Sequence, residues 1–244
     1  MEDRKPFVEE PTKGLKSFLI SFIGNYFLVI LFAVLLIVSF GFLGLEISSN
    51  KLNLTATILA SVSILVFFFL FFGNTIIDKL KSVFTLKALL YGVVGFAFFY
   101  LATILYSVFI YFLEIDYGNN ENQEIVVSLI KGEPILAFIV VVILAPIVEE
   151  IMYRYALFGA FLKHNRFLAY FISVLAFTIA HFIASFGSDN ILLELVSFFP
   201  YAFSGIVFAY IYEKSKNLGS AIIAHFINNF LSYIFVVSGL IFLV

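Results

Sequence analysis

Residues 135–160 read ILAFIVVVILAPIVEEIMYRYALFGA and place charged side chains inside an otherwise apolar run. The run is long enough to cross a bilayer, whose hydrocarbon core needs about 20 apolar helical residues. Glu149, Glu150 and Arg154 are its charges. Because one charge at the bilayer centre costs about 2.5–3.5 kcal/mol on insertion scales, this cluster predicts a protein-lined or hydrated interior. Pro146 removes a backbone hydrogen bond just upstream, so we expect the helix to kink or open there.

The composition of the whole chain indicates an integral membrane protein. Of 244 residues, 63% are hydrophobic and 12% are charged, whereas soluble domains carry roughly a quarter charged residues and about half apolar ones. The absence of cysteine excludes disulfides, thiolate metal sites and a cysteine nucleophile. A net charge of −2 gives no basic field, so nucleic acid is not an expected partner. We expect an all-α polytopic protein embedded in a lipid bilayer.

Seven segments are predicted to span the membrane, and the longest polar stretch, residues 114–133, is predicted to be a loop. Eleven Lys and Arg residues fall in the N-terminal tail and alternate loops, against only Lys51 and Lys131 on the other side. Positive residues concentrate in cytoplasmic loops, so we expect a cytoplasmic N-terminus and an odd number of spans. An even number would require a missed or split segment, and the end of the last one, near Ser238 and Gly239, is the place for it. The predicted spans are 18–45, 54–73, 88–113, 135–160, 167–186, 192–212 and 218–243.

The charged residues of the fourth span divide into a pair and a single carboxylate. Glu150 and Arg154 are four residues apart in the favoured order, so they share a helix face and can form a structural salt bridge. Glu149 lies about 100° around the helix from Glu150 and has no partner in its own helix. An unpaired carboxylate inside the membrane is a candidate functional residue.

Two of the three histidines also fall within predicted spans. His181 lies in the fifth span, and His225 shares a face of the seventh with Asn229. With a 1.5 Å rise from the cytoplasmic helix ends, Glu149 is about 18 Å deep, His181 about 21 Å, His225 about 11 Å and Asn229 about 17 Å. These similar depths predict one polar site among three helices. Asn228 points about 100° away from Asn229, towards a neighbouring helix.

A carboxylate, two imidazoles and an amide favour hydrolysis by an activated water. Glu149 would accept a proton from water with the help of His181, while His225 and Asn229 would donate hydrogen bonds to an oxyanion. A metal site is the alternative: Glu149, His181 and His225 could bind zinc and leave a position for water. The metal-free site accounts for Asn229 more directly, because an amide is a poor zinc ligand. We therefore expect no cofactor, with zinc as the competing hypothesis.

These residues resemble the three motifs of the CPBP family of CAAX proteases and bacteriocin-processing enzymes, also called Abi, which is related to the type II CAAX prenyl endopeptidases. The first motif, Glu-Glu-x-x-x-Arg, matches residues 149–154. The second, Phe-x-x-x-His, matches 177–181, and the third, His-x-x-x-Asn/Asp, matches 225–229. Many members have Gly after the motif Arg, where this chain has Tyr155.

The resemblance covers roughly residues 135–234 and implies a division of the chain. Residues 1–134 would form the tail and first three spans, and residues 135–244 the catalytic core with four spans. Within that core the resemblance implies that Glu149 activates water with His181, that Arg154 orders the acidic pair, and that His225 and Asn229 bind the oxyanion. Family members have been described both as metalloproteases and as glutamate-dependent enzymes without zinc.

The resemblance implies an intramembrane endopeptidase that cleaves a membrane-associated peptide or protein. Bacterial members have been linked to bacteriocin maturation or self-immunity, which makes a peptide-export or bacteriocin system a candidate partner. The richness in Phe, Ile, Asn and Lys resembles a low-GC bacterium, so we expect the bacterial plasma membrane as the location. The alternatives are a non-catalytic scaffold or immunity protein of the same fold, and a proton-coupled transporter that uses Glu149 and His181.

Overall fold

The computed structural model describes residues 11–115, 120–183, 188 and 191–239. These ranges form nine helices and contain no strand, which confirms the all-α polytopic class. A 3₁₀ turn, Ser82–Phe84, connects the third and fourth helices. The helices are α1 (Pro11–Phe42), α2 (Ser49–Phe72), α3 (Asn74–Lys81), α4 (Leu86–Phe112), α5 (Glu121–Gly132), α6 (Pro134–Leu162), α7 (Arg166–Phe182), α8 (Ile191–Ser215) and α9 (Leu218–Ser238).

Six of these described helices are long and apolar enough to cross a membrane, namely α1, α2, α4, α6, α8 and α9. Helix α7 is apolar but has only 17 residues, so it is about 26 Å long against a hydrocarbon core of about 30 Å. It corresponds to the predicted span 167–186, of which residues 184–186 lie outside the described ranges. The predicted boundaries of the other spans differ from the helix ends by a few residues, because apolar composition does not mark the caps.

The prediction of a loop over residues 114–133 is wrong, because this stretch contains helix α5. Its N-cap, Asn120, accepts a hydrogen bond from the backbone N–H of Gln123, and its first turn carries Glu121 and Glu124 near the positive end of the helix dipole. One face of α5 is apolar. The polar residues that suggested a loop are the cap and the outer face of a short amphipathic helix. The apolar residues of α5 are Ile125, Val126, Val127, Leu129 and Ile130.

The last predicted segment is one helix over its described length rather than two. Helix α9 begins after Asn217, whose side chain accepts from the N–H of Gly219, and continues to Ser238. It ends at Gly239, which has a φ of 70° and so takes the left-handed conformation that glycine adopts easily. Residues 240–243 of the predicted segment lie outside the described ranges.

Helix α6 lies at the centre of the bundle, and its residues Ile151–Phe158 are all buried. It packs against α1, α7, α8 and α9, while α4 packs against α8 and α9 from the other side. Tyr155, which follows Arg154, is buried against Phe72 of α2 with ring centroids 5.2 Å apart. The aromatic side chain thus fills space between α6 and α2.

The start of α9 touches the turn before α4 so closely that only glycine fits. A Cβ on Gly219 would lie 2.6 Å from the backbone N and Cα of Val83. The N–H of Gly219 also donates to Ser82 Oγ at 3.2 Å. This contact sets the position of the helix that carries His225 and Asn229.

Replacing Gly219 by alanine should lower the free energy of unfolding by about 1–3 kcal/mol, because the new methyl group overlaps backbone atoms that cannot move aside. The measurement is thermal unfolding of the purified protein in detergent. Gly41→Ala is the matched control, because a Cβ at Gly41 has no atom within 4 Å. Equal melting temperatures for the two variants would contradict the proposed constraint.

Candidate active site

A buried ion pair forms the base of the polar cluster in α6. Arg154 Nε lies 3.1 Å from Glu150 Oε2, and neither side chain has any exposed surface. Arg154 Nη1 also donates to Ser173 Oγ of α7 at 3.3 Å. The guanidinium carbon lies 4.7 Å from the ring centre of Phe177 and 5.8 Å from that of Phe208. Arg154 therefore connects α6 to α7 and α8 through a hydrogen bond and two cation–π contacts.

The other oxygen of Glu150 orients His225. His225 Nδ1 and Glu150 Oε1 are 3.0 Å apart, and the imidazole lies on Phe208 with ring centres 5.0 Å apart. An ionised carboxylate accepts hydrogen bonds but cannot donate them, so Nδ1 carries the hydrogen. The Nε2 atom of His225 is consequently left to face Glu149.

His181 is oriented in a similar way by its own helix. Its Nδ1 lies 2.9 Å from the backbone oxygen of Phe177, and a carbonyl can only accept, so Nδ1 is again the protonated nitrogen. The ring of Tyr201 stacks on the imidazole at 4.7 Å, and the Tyr201 hydroxyl accepts from Asn122 Nδ2 at 3.0 Å. Helices α5 and α8 therefore also help to position His181.

Glu149 lies between the two histidines. Its Oε2 atom is 3.7 Å from His181 Nε2 and 3.9 Å from His225 Nε2, and this buried oxygen has no hydrogen-bond partner among the described residues. The three side chains predicted to meet are therefore brought together by the structure. Their separations leave space for a water molecule that would bridge the carboxylate and an imidazole.

Asn229 is held by an irregularity in α6. The residues on either side of the turn Ala145–Glu150 are in π-helical conformation, and the N–H of Ala145 donates to the carbonyl of Val140, five residues earlier. In that register the N–H of residue 146 would bond the carbonyl of Val141, but Pro146 has no N–H. Asn229 Nδ2 donates to this carbonyl instead, at 2.9 Å. The predicted opening of the helix at Pro146 is therefore where Asn229 binds.

Asn228 also contributes to this arrangement, although the sequence placed it at a helix contact. Its Nδ2 donates to Asn229 Oδ1 at 3.2 Å. The Asn229 side chain is thus fixed at both ends, and its second amide hydrogen remains available to a ligand.

These groups line a cavity of about 310 Å³, here called the α5–α9 cavity. Its walls come from α5, α6, α7, α8 and α9. Both Glu149 and Asn229 line it. Most of its remaining surface is apolar, which suits a lipid-soluble or hydrophobic ligand. The polar residues of the cavity are Asn122, Gln123, Glu149, His181, Tyr201, Ser204, His225, Asn228, Asn229, Ser232 and Tyr233.

Residues 131–231 match the family described as Rce1-like, type II CAAX prenyl endopeptidase. This segment is similar to the Rce1-like family. It contains all six residues predicted for the site, the whole of α6 and α7, and α9 up to residue 231. The resemblance inferred from the three motifs is therefore confirmed at the level of the family.

Three proteins to which parts of this chain are similar come from bacteria. An "Uncharacterized protein" of Mycoplasma capricolum is 29% identical over 79% of this chain and 57% of its own length. The "Putative membrane peptidase YdiL" of Bacillus subtilis is 32% identical over 45% of this chain and 41% of its own. The "UPF0177 protein YvdC" of Lactococcus lactis is 26% identical over 51% and 44%. This chain spans about half the length of these three relatives. No solved structure matches it.

The Rce1-like segment was also tested for a metal site. Among the described residues, no group of three His, Cys, Asp or Glu side chains could hold a metal ion. The separations of 3.7 and 3.9 Å from Glu149 to the histidines exceed the roughly 3.3 Å between two ligands of a tetrahedral zinc. The hypothesis that Glu149, His181 and His225 bind zinc stays a prediction, as does the metal-free site.

Sequence reasoning missed Tyr201 and Asn122 in the Rce1-like site. Tyr201 follows Pro200 within α8, and Asn122 lies at the start of α5, the helix that was predicted to be a loop. Neither residue belongs to a motif, and their contact depends on how α5 and α8 meet in space. The one signal in the sequence was the position of Tyr201 directly after Pro200 within a predicted span. Such a pair also occurs where a helix only bends, so it does not by itself indicate a site.

Replacing Arg154 by methionine should lower the free energy of unfolding by about 3–5 kcal/mol, because the buried Glu150 carboxylate then loses its counter-charge. The matched control is Arg166→Met, which removes an exposed guanidinium from a surface pair with Glu213 and should change stability little. Thermal unfolding in detergent compares them. A melting temperature for Arg154→Met close to that of Arg166→Met would contradict the structural role of the pair.

Proposed function

We propose that this protein is an intramembrane endopeptidase that hydrolyses a peptide bond of a membrane-associated protein or peptide. The observation that carries the proposal is the convergence of Glu149, His181 and His225, with the Asn229 amide on the wall of the same cavity. The coarser conclusion, a membrane protease of the CAAX type, follows from the family of residues 131–231. The roles of the individual residues are inferred from their geometry.

Glu149 is proposed to act as the general base. A water between its carboxylate and His181 Nε2 would lose a proton to this pair while its oxygen attacks the carbonyl carbon of the substrate. His181 can accept or share this proton because Nδ1, not Nε2, is tied to the Phe177 carbonyl. The same proton then passes to the amide nitrogen as the C–N bond breaks, which leaves a carboxylic acid and an amine.

Asn229 and His225 are proposed to stabilise the tetrahedral oxyanion. The free amide hydrogen of Asn229 is one donor. Because Nδ1 of His225 already donates to Glu150, Nε2 donates only when the ring is an imidazolium, and Glu150 supplies the negative charge beside it. Hydrogen bonds to the oxyanion are strong here because the surroundings have a low dielectric constant.

Replacing Glu149 by glutamine should reduce cleavage of membrane peptides by at least about 10²-fold, since general-base catalysis contributes 10²–10⁴-fold. The assay uses purified protein in liposomes and a library of membrane peptides, analysed by mass spectrometry. Glu213→Gln, which changes a carboxylate in the surface pair, should cleave like the natural chain.

Full turnover by Glu149→Gln would rule out the proposed base. Cleavage by the natural chain should also survive a chelator. Loss on chelation and recovery with Zn²⁺ would instead favour the metal hypothesis. If the natural chain cleaves no peptide in the library, a scaffold or immunity protein of the same fold becomes the better description.

The location and the class of substrate are also part of this proposal. The bacterial relatives support a multi-pass protein of a bacterial plasma membrane, and the motif resemblance suggests a role in bacteriocin maturation or self-immunity. The distribution of Lys and Arg supports a cytoplasmic N-terminus. A bacterial chain of this kind would process an exported or membrane-bound peptide.

Single cysteines should report this orientation directly, because the natural chain contains none. Lys51→Cys, in the predicted external loop at the start of α2, should react with a membrane-impermeant maleimide in intact cells. Lys163→Cys, between α6 and α7, should react only after permeabilisation. The reverse pattern would show that the N-terminus is external.

A further inference from the structure

A second cavity meets the first at the proposed base. It has a volume of about 200 Å³ and is here called the α1–α2 cavity, because α1 and α2 supply the wall opposite α6. Glu149, His181 and Asn122 line both cavities, whereas His225 and Asn229 line only the α5–α9 cavity. Glu149 therefore stands between two spaces, of which only one contains the proposed oxyanion donors.

The wall of the α1–α2 cavity carries polar side chains that form no hydrogen bond with the described residues. Ser61 of α2 is 6% exposed, and its hydroxyl has no hydrogen bond among the described residues. Nearby hydroxyls behave differently: Thr57 bonds back to the carbonyl of Asn53, and Ser63 to that of Leu59, both at 2.8 Å. Back-bonding is the usual way in which Ser satisfies itself within a helix.

Asn25 of α1, like Ser61, has a polar side chain without a hydrogen bond among the described residues. Its carboxamide lines the cavity and has no hydrogen-bond partner in the described part of the chain. Helix α1 is predominantly apolar and is exposed along most of its length. An uncommitted amide inside a membrane span is costly, which makes it a candidate for binding a ligand.

These groups lie at the level where cleavage is proposed. Asn25, Ser61 and Glu149 each fall near the middle of their helices, α1, α2 and α6. A membrane peptide must lose its helical hydrogen bonds around the bond to be cut, and each freed N–H or C=O then needs a partner inside the bilayer. Carboxamide and hydroxyl groups can both donate and accept, so they suit an unwound backbone and small polar side chains.

We infer that the α1–α2 cavity is a substrate subsite, which holds an unwound, polar stretch of a membrane peptide on the side of Glu149 away from Asn229. This inference rests on the proposed function and names a feature of the substrates that such an enzyme would select. The wall that carries Asn25 and Ser61 lies outside residues 131–231, so the N-terminal helices would contribute selectivity to the Rce1-like segment.

Binding can be measured without cleavage by using Glu149→Gln as the parent. Two Lys-flanked transmembrane peptides of leucine serve as probes, one with a central Ser-Gly-Ser and one with Leu-Leu-Leu. Fluorescence energy transfer in phosphatidylethanolamine–phosphatidylglycerol liposomes, from a dye on Lys163→Cys, gives each dissociation constant. The parent should bind the Ser-Gly-Ser peptide about three- to tenfold more tightly, as expected for one or two neutral hydrogen bonds.

Adding Asn25→Leu or Ser61→Ala to the parent should abolish this preference. Ser63→Ala, whose hydroxyl is committed to its own helix, and Ser39→Ala on α1 are matched controls and should keep it. Equal binding of the two peptides by the parent would overturn the subsite. So would a preference that survives both Asn25→Leu and Ser61→Ala, or one that the controls also remove.

Hydrolysis by the chain with Glu149 intact separates this inference from the proposed function. Binding preference without Glu149-dependent cleavage would contradict the proposed function and leave the subsite supported. Cleavage without the preference would contradict the subsite alone. If Asn25→Leu lowered kcat equally for both peptides and left their relative binding unchanged, the cavity would serve only to hold water, and the subsite would be wrong.

Discussion

The buried ion pair between Glu150 and Arg154 is the interaction on which the site depends. A charge inside a membrane protein must be compensated, and each member of the pair also bonds to a group from another helix. Glu150 takes His225 of α9, and Arg154 takes Ser173 of α7 and lies over Phe177. Arg154 also lies 5.8 Å from the ring centre of Phe208 of α8, so the ion pair contacts three helices around α6. The pair is structural, yet it decides which nitrogen of His225 faces Glu149.

The backbone of α6 provides the second constraint. Its π-helical segments on both sides of the glutamates shift the hydrogen-bond register, and Pro146 leaves the carbonyl of Val141 without its helical donor. Asn229 occupies this position with one amide hydrogen and keeps the other for a ligand. A local defect in one helix thus orients a polar side chain of another, which a regular α-helix would not do, because its own N–H would occupy the carbonyl.

The environment of the pair Glu149 and His181 is built by helices of very different character. Helix α5 is short and amphipathic, and through Asn122 it holds Tyr201 against the imidazole. Helices α1 and α2 are long, mostly apolar spans whose Asn25 and Ser61 line a cavity that Glu149 also lines. The reactive groups lie within the Rce1-like segment, whereas much of the space around them is shaped by the rest of the chain.

The sequence alone determined the membrane class, which follows from composition, and it predicted the candidate site residues from helix periodicity and depth. The spacing of Glu150 and Arg154 predicted their pairing, and depth along the helices predicted that Glu149, His181 and His225 share a level. Tertiary structure decided which groups are neighbours in the plane of the membrane. It places the Val141 carbonyl in hydrogen-bond contact with Asn229, and it forms the two cavities that Glu149 lines. Periodicity gives the direction of a side chain relative to its own helix axis, but lateral neighbours depend on packing between helices distant in sequence.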